Sequence, residues 1–495
     1  MLKKRPFRLS TVGPALLVAV LLLSGCQTYT EKSASLDYNF RVRGDLPGAV
    51  AEIDKAAPKK NNDRDGILYR LEQGAILRAA ALDAATPEAA RDLLARSNAA
   101  FDAAEKRINA YEEAARIKAG SETAAIFSNQ AALPYRGRAY DKVMMNTYKA
   151  LNFLQLGDHD RARVEINRAY RRQQDAVHEN ARRIAETQEA ARKAAAGSLA
   201  DEKGRASSYD VNRAMADPKA AGAIARATAT ANNAAAAQPY ADYVNPFSVL
   251  MDAIFFSACG VDGADLERSR KSFERVTGMA PGNPSARKDL ADVSEGRRPA
   301  GVTYVIFETG HAPWRGQERI DIPLYVVTDR INYIGAALPR LELHANTVPA
   351  LFAAGAPAEL VSSMDSIVAR DFKNEWPSIL VKTLLSTAIK ATVSATLQHQ
   401  ALHNKDANAR LIAGITGLAG AIIQFATNIA DTRTWRSLPK EFHYVRVDTP
   451  RDRRLVVQSG GHERAFVLGE GEVHLVYVKS LAPGKPFLAS SFKLR

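Results

Sequence analysis

Two histidines stand at i and i+4 in His399-Gln400-Ala401-Leu402-His403. On a helix that spacing puts both imidazoles on one face, where they can hold zinc. A metalloprotease built on that pattern also needs a glutamate after the first histidine as general base. Gln400 occupies that position and cannot take a proton, and no third ligand follows. The pair reads as two polar residues at a helix end. Gly414, Gly417 and Gly420 sit three apart inside an apolar stretch, without the Lys-Ser/Thr ending of a phosphate loop and not after a strand. No Gly-x-Ser-x-Gly elbow occurs. Acids are abundant, but sequence does not say which two face each other across a cleft, so glycan-cleaving carboxylates stay open. No catalytic residue, cofactor or metal is assigned.

The chain has two cysteines, Cys26 and Cys259, and so no disulfide framework. Cys259 follows Ile254-Phe255-Phe256 and reads as a buried structural thiol. Cys26 ends a different pattern. Lys3, Lys4, Arg5 and Arg8 precede an apolar run from Ala15 to Leu23. That is the layout of a secretory signal, and the run is too short to span a bilayer as a helix. Leu23-Ser24-Gly25-Cys26 resembles the lipobox of bacterial lipoproteins. The resemblance implies cleavage before Cys26, acylation of its thiol, and membrane attachment through several acyl chains. Gln27, where that family's sorting rule reads the next residue, implies the periplasmic face of the outer membrane.

The 495 residues carry a net charge of +13, and loss of the four basic signal residues with no acid lowers it to +9. The length fits two or three domains. A basic balance suits nucleic acid, an anionic membrane surface or an anionic polymer. An exported lipoprotein meets no nucleic acid, which leaves lipid head groups, cell-wall glycan or a solvated surface. Nothing in the sequence sets the oligomeric state.

The reading is α+β. Residues 1–25 are the signal and 26–60 a polar tether. Residues 61–295 form an α-helical domain, rich in Ala, Leu, Arg, Glu and Lys. Within it, Ala150, Phe153, Gly157, Ala162, Ile166 and Ala169 fall near the spacings of a tetratricopeptide (TPR) repeat, and Gly157-Asp158-His159-Asp160-Arg161-Ala162 resembles that family's inter-helix turn. Fainter pairs lie at 246–276, closed by Pro281-Gly282-Asn283, and around 66–108, with Leu68, Leu71, Gly74 and Leu77. The expectation is degenerate TPR-like hairpins. Residues 176–240 interrupt them as a low-complexity, Ala-rich excursion, expected to be mobile or a loosely docked helix.

From 300 to 495 short strands follow: 302–307, 320–327, 340–344, 442–447, 455–457, 465–468 and 473–478. Their length and spacing predict an antiparallel β-sandwich-like domain. A helical hairpin, inserted over 376–432, splits it into helices at 378–402 and 407–430. The glycine stripe at 414–420 lets a helix backbone come close. Trp376 and Trp435 flank the pair as interfacial tryptophans do in membranes. Lys382, Lys390, Gln424 and Asn428 oppose insertion and favour a hairpin buried within the chain; an oligomer contact is the third reading.

Phe307–Arg315 (FETGHAPWR) and Asp431–Pro439 (DTRTWRSLP) mix aromatic, arginine and proline residues. One reading is a shared recognition surface of Trp314, Arg315, Arg433 and Trp435, since Trp and Arg anchor interfaces. The other is structural: Arg433 pairs with an acid and Trp435 packs a helix against the sheet. The lipobox, the degenerate TPR hairpin, Glu308-Thr-Gly310-His-Ala312-Pro313 and Ala430-Asp431-Thr432-Arg433 with Trp435 together resemble a poorly characterised family of Gram-negative envelope lipoproteins. That resemblance implies TPR-like helices, a C-terminal β-rich domain and no established reaction. The expected function is a scaffold for another envelope protein, with an enzyme acting on cell-wall glycan or lipid as the alternative. Replacing Cys26 by alanine should release the protein from membranes and abolish acyl labelling; unchanged association on fractionation would contradict the anchor.

Overall fold

The computed structural model describes residues 29–117, 131, 133–196, 199–200, 206–207, 209–238, 240–323, 333–402 and 430–495, with the backbone alone over 389–402. Helices fill the N-terminal part of the described chain and strands dominate the C-terminal part, so the fold is α+β. Cys26, His403 and residues 407–429 of the expected second helix, with its glycine stripe, lie outside the described residues, as does the His399 side chain.

The expected tether is helical instead. Helix α1 (Tyr29–Asp37) runs on as a π-helix over Tyr38–Arg43, and α2 spans Leu46–Lys60. Leu36, Phe40, Ala49, Ile53 and Ala57 are buried. The polar residues between them hide a one-sided apolar stripe, which only a docking partner makes meaningful. Pro47 does not break the chain; it sits in the first turn of α2, where its missing N–H costs nothing.

Helix α3 (Gly66–Ala81) is followed by α4 (Pro87–Ile117), and α5 (Ala139–Gln155) by α6 (His159–Ala195). Short loops make each pair antiparallel neighbours. Gly74 is a contact point: a Cβ there would lie 2.4 Å from the Phe101 ring. Between α5 and α6, Gly157 takes φ +76°, and Asp158 caps α6 by accepting from the Arg161 N–H.

The expected excursion is docked. Helix α7 (Val211–Met215) and α8 (Pro218–Ala236) follow α6. Ala220, Ala223, Ala227 and Ala231 recur along one face of α8 and are buried. The first three share a second core with Ile320, Ile322, Leu338, Leu384 and Leu385, and Ala231 joins the main core. Alanine leaves almost no side-chain volume, so the helix backbone approaches its neighbours closely. Low complexity here marks a close contact.

Helices α9 (Pro246–Ala258), α10 (Gly263–Met279) and α11 (Pro284–Ser294) lead into the strands. In order these are β1 (Val302–Thr309), β2 (Trp314–Pro323), β3 (Tyr333–Glu342), β4 (Leu351–Ala353), β5 (Ala356–Pro357), β6 (Glu359–Ser363), β7 (Glu441–Asp448), β8 (Arg454–Ser459), β9 (His462–Val467), β10 (Val473–Lys479) and β11 (Leu488–Lys493). Helix α12 (Met364–Leu402) starts well before the expected Ser378 and continues through Pro377.

The main sheet has the order β11-β10-β1-β7-β6. It is not purely antiparallel: β10 pairs β1 in parallel, with Lys479 beside Glu308. Both strands are buried throughout, as expected of strands covered on both faces. Tyr304 and Ile306 point into the helical core, while Val305 and Phe307 share a core with Leu455 and Val457 of a second sheet, β9-β8-β4-β5. A separate hairpin pairs β2 with β3.

Asp289 of α11 locks the helices to the main sheet. It is 2% exposed and accepts from the Tyr444 hydroxyl and from Arg446 Nη1 at 2.7 Å. Burial pushes its carboxyl up to about 6 despite Arg446. A raised acid pKa means that the folded state holds a proton the unfolded chain has lost. The stability from this group is therefore full below the unfolded value and is lost as pH rises through 6. Asp289→Asn removes that dependence. Its unfolding free energy relative to the parent should rise by about 2–3 kcal/mol between pH 4 and 7.5, read from urea titrations; a flat difference would contradict the linkage.

Candidate binding surface

Residues 430–440 form no strand or helix before β7, yet nearly all of 430–439 are buried. A buried irregular backbone must find partners for its polar groups. Side chains of the helical half supply them. Glu72 accepts from the Arg436 N–H at 2.6 Å and the Ser437 N–H at 3.1 Å. Arg138 donates to the Arg433 carbonyl, and Tyr29 to that of Thr434. Arg41, fully buried, donates to Leu438 O at 2.9 Å, Arg436 O at 3.3 Å and Gly310 O at 2.8 Å, with Asp37 on its Nε.

Three of the four residues expected on a recognition surface are internal. Arg433 is 6% exposed and binds Asp431 through two nitrogens, Asp65 through a third contact, and the Leu133 carbonyl. Trp435 packs edge-on to Phe101 and Tyr148 and donates to Ser437 Oγ at 2.7 Å. Arg315 donates to Glu375 at 2.8 Å over the Phe372 ring. Only Trp314 reaches a cleft. Glu308 is also structural: it is buried, bound to Lys479, Tyr477 and Tyr148. Burial works to raise its pKa, but Lys479 and these hydrogen bonds outweigh it and hold the carboxyl below its usual range. Burial takes Lys479 down to about 8 against the pull of Glu308.

Two open clefts lie along the N-terminal helices. One cleft of about 520 Å³ is lined by Asp37, Tyr38, Val42, His311, Trp314 and His344, among others. The Trp314 and His344 rings are 4.4 Å apart, and the Arg436 guanidinium lies 3.9 Å from the Trp314 centroid. Burial, then the nearby Arg41, push His311 down to about 2; burial and Lys440 lower His344. A second groove of about 540 Å³ opens beside it, where Leu46 and Leu93 face Leu481 and Leu488, with Arg43 and Lys485 also in its lining. The π-helix lies between the two and contributes to both. Sequence reasoning missed Arg41, Glu72, Tyr38 and Val42, since an apolar stripe of short helices gave no sign of where they dock.

Glu72→Ala leaves two buried N–H groups without their acceptor, while the Tyr29 hydroxyl keeps the Thr434 carbonyl. It should cost about 3 kcal/mol or more, seen in the urea midpoint, and open the Arg433–Arg436 stretch to trypsin. Glu72→Gln, which keeps one acceptor oxygen, should lose less. A parent-like midpoint for the alanine variant would show that the segment is held elsewhere. No family model matches the chain, and neither a curated protein nor a solved structure shows significant similarity to it.

Proposed function

We propose that the protein is an outer-membrane lipoprotein of the envelope family it resembles, anchored at Cys26, whose TPR-like helical hairpins and β-rich domain form a scaffold for another envelope protein. The observation that carries this reading is the second groove. It is open, apolar along its walls, and includes Arg43 and Lys485. That chemistry suits a partner segment with apolar side chains flanked by acids.

The alternative, an enzyme acting on glycan or lipid, draws on Asp37, His311 and His344 in the neighbouring cleft. A general base works best with a pKa near the operating pH. His311, pushed down to about 2, does not take a proton there, and Asp37 is engaged by Arg41. The scaffold reading is the stronger.

Photo-crosslinkers at Pro47 and Leu93 should capture the same envelope protein in living cells, and one at Val261, exposed on α9–α10, should not. A synthetic peptide of the captured segment should bind the pure protein and lose at least about tenfold in affinity with Arg43→Glu, Lys485→Glu. Failure of both sites to capture a partner, with glycan turnover by the pure protein, would sink the scaffold.

A further inference from the structure

The first described helix carries an unusual outer face. Its inner side, Tyr29, Ser33, Leu36, Asp37, Phe40 and Arg41, is buried. Its outer side exposes Glu31, Ala34, Ser35, Tyr38 and Val42, and Arg43 follows. From Ala34 to Val42 no exposed charge interrupts that face, although 24% of the chain is charged. A surface helix normally turns charged and polar residues to water. Here Tyr38 is 55% and Val42 52% exposed, one turn apart, and Leu343, 41% exposed, lines the same cleft.

The same helix is the one nearest the anchor. Tyr29 is 3% exposed, fixed by Glu72 and the Thr434 carbonyl, and Thr30 Oγ1 lies 3.0 Å from Thr432 Oγ1. Only two residues separate Tyr29 from Cys26, a span of about 10 Å even when fully extended. An acylated Cys26 therefore cannot hold this body away from the bilayer.

We infer that the outer face of α1 and its π-helix, with Tyr38, Val42 and Leu343, is a membrane-seating surface that rests in the lipid interface beside the anchor. This rests on the lipid anchor proposed above. The chemistry fits: an aromatic side chain with a hydroxyl suits the boundary between head groups and acyl chains, and an apolar face can bury several ångströms into it.

The test uses the acylated full protein in vesicles of phosphatidylethanolamine and phosphatidylglycerol, in a Cys259→Ser background. An environment-sensitive fluorophore is placed at Tyr38→Cys, Leu343→Cys or Val261→Cys, and the vesicles carry nitroxide-labelled lipid. Quenching at 38 and 343 should exceed that at 261 by about threefold or more. The pair Ala34→Glu, Val42→Glu replaces exposed side chains only, so it should fold, and should cut quenching at 343 to the level at 261. Co-flotation with the vesicles reports the anchor separately. Protein that floats but quenches equally at all three sites overturns the seating and leaves the anchor standing. Protein that does not float overturns both. Self-crosslinking through position 38 without quenching would assign the face to a second copy and overturn the seating as well.

Discussion

The structure depends on how one buried stretch without regular secondary structure, residues 431–440, satisfies its backbone. Inside a protein an unpaired amide or carbonyl is costly. From 433 to 437 side chains supply the partners, and only at Leu438 and Lys440 does neighbouring backbone, from Ala312, Thr309 and Met364, take over. Glu72 of α3, Arg138 just before α5, Tyr29 of α1 and Arg41 of the π-helix each reach in. The segment leads directly into β7, which pairs with β1 at the centre of the main sheet. The same few hydrogen bonds therefore fix the helical half to the sheet and fix the N-terminal helices to both.

Buried charge serves the same end elsewhere. Glu308 and Lys479 stand side by side on parallel strands, with two tyrosine hydroxyls completing the carboxylate's coordination. Arg315 and Glu375 join β2 to α12. Such pairs gain little net stability over apolar packing, but breaking one leaves an uncompensated charge. Their effect is to make one arrangement of elements much better than its neighbours. The buried clusters at Glu308–Lys479 and Arg315–Glu375 are therefore joinery between elements.

Those surfaces flank the N-terminal helices. Because Arg41 and Tyr29 clamp these helices to the body, the π-helix presents Tyr38 and Val42 outward on one side and helps to wall the Leu46–Leu488 groove on the other. A flexible tether would have offered neither. The helical hairpins supply a rigid flank, and the loop after β10, with Leu481 and Lys485, and the start of β11, with Leu488, supply further lining. Docking of residues 29–60 is what makes this segment part of the lining of both clefts.

The sequence by itself determined the helical character of most described residues between 66 and 294, the helix pairs with turns at Gly157-Asp158 and around Gly260–Gly263, the buried strand 302–307 and the switch to strands near 300. These follow from local signals: apolar periodicity, capping residues and runs of β-branched side chains, which act over a few residues. Tertiary structure decided the rest. Residues 29–60 pack because their thin apolar stripe meets a partner surface far away in sequence. The alanines of 220–231 look featureless until a hairpin and α12 close on them. The parallel pairing of β1 with β10 joins strands separated by more than 160 residues, and no local pattern encodes a partner at that distance. Trp314, Arg315, Arg433 and Trp435 were legible as special, but whether an arginine faces solvent or a buried carboxylate depends on what the fold places opposite it, and for three of these four the fold placed them inside.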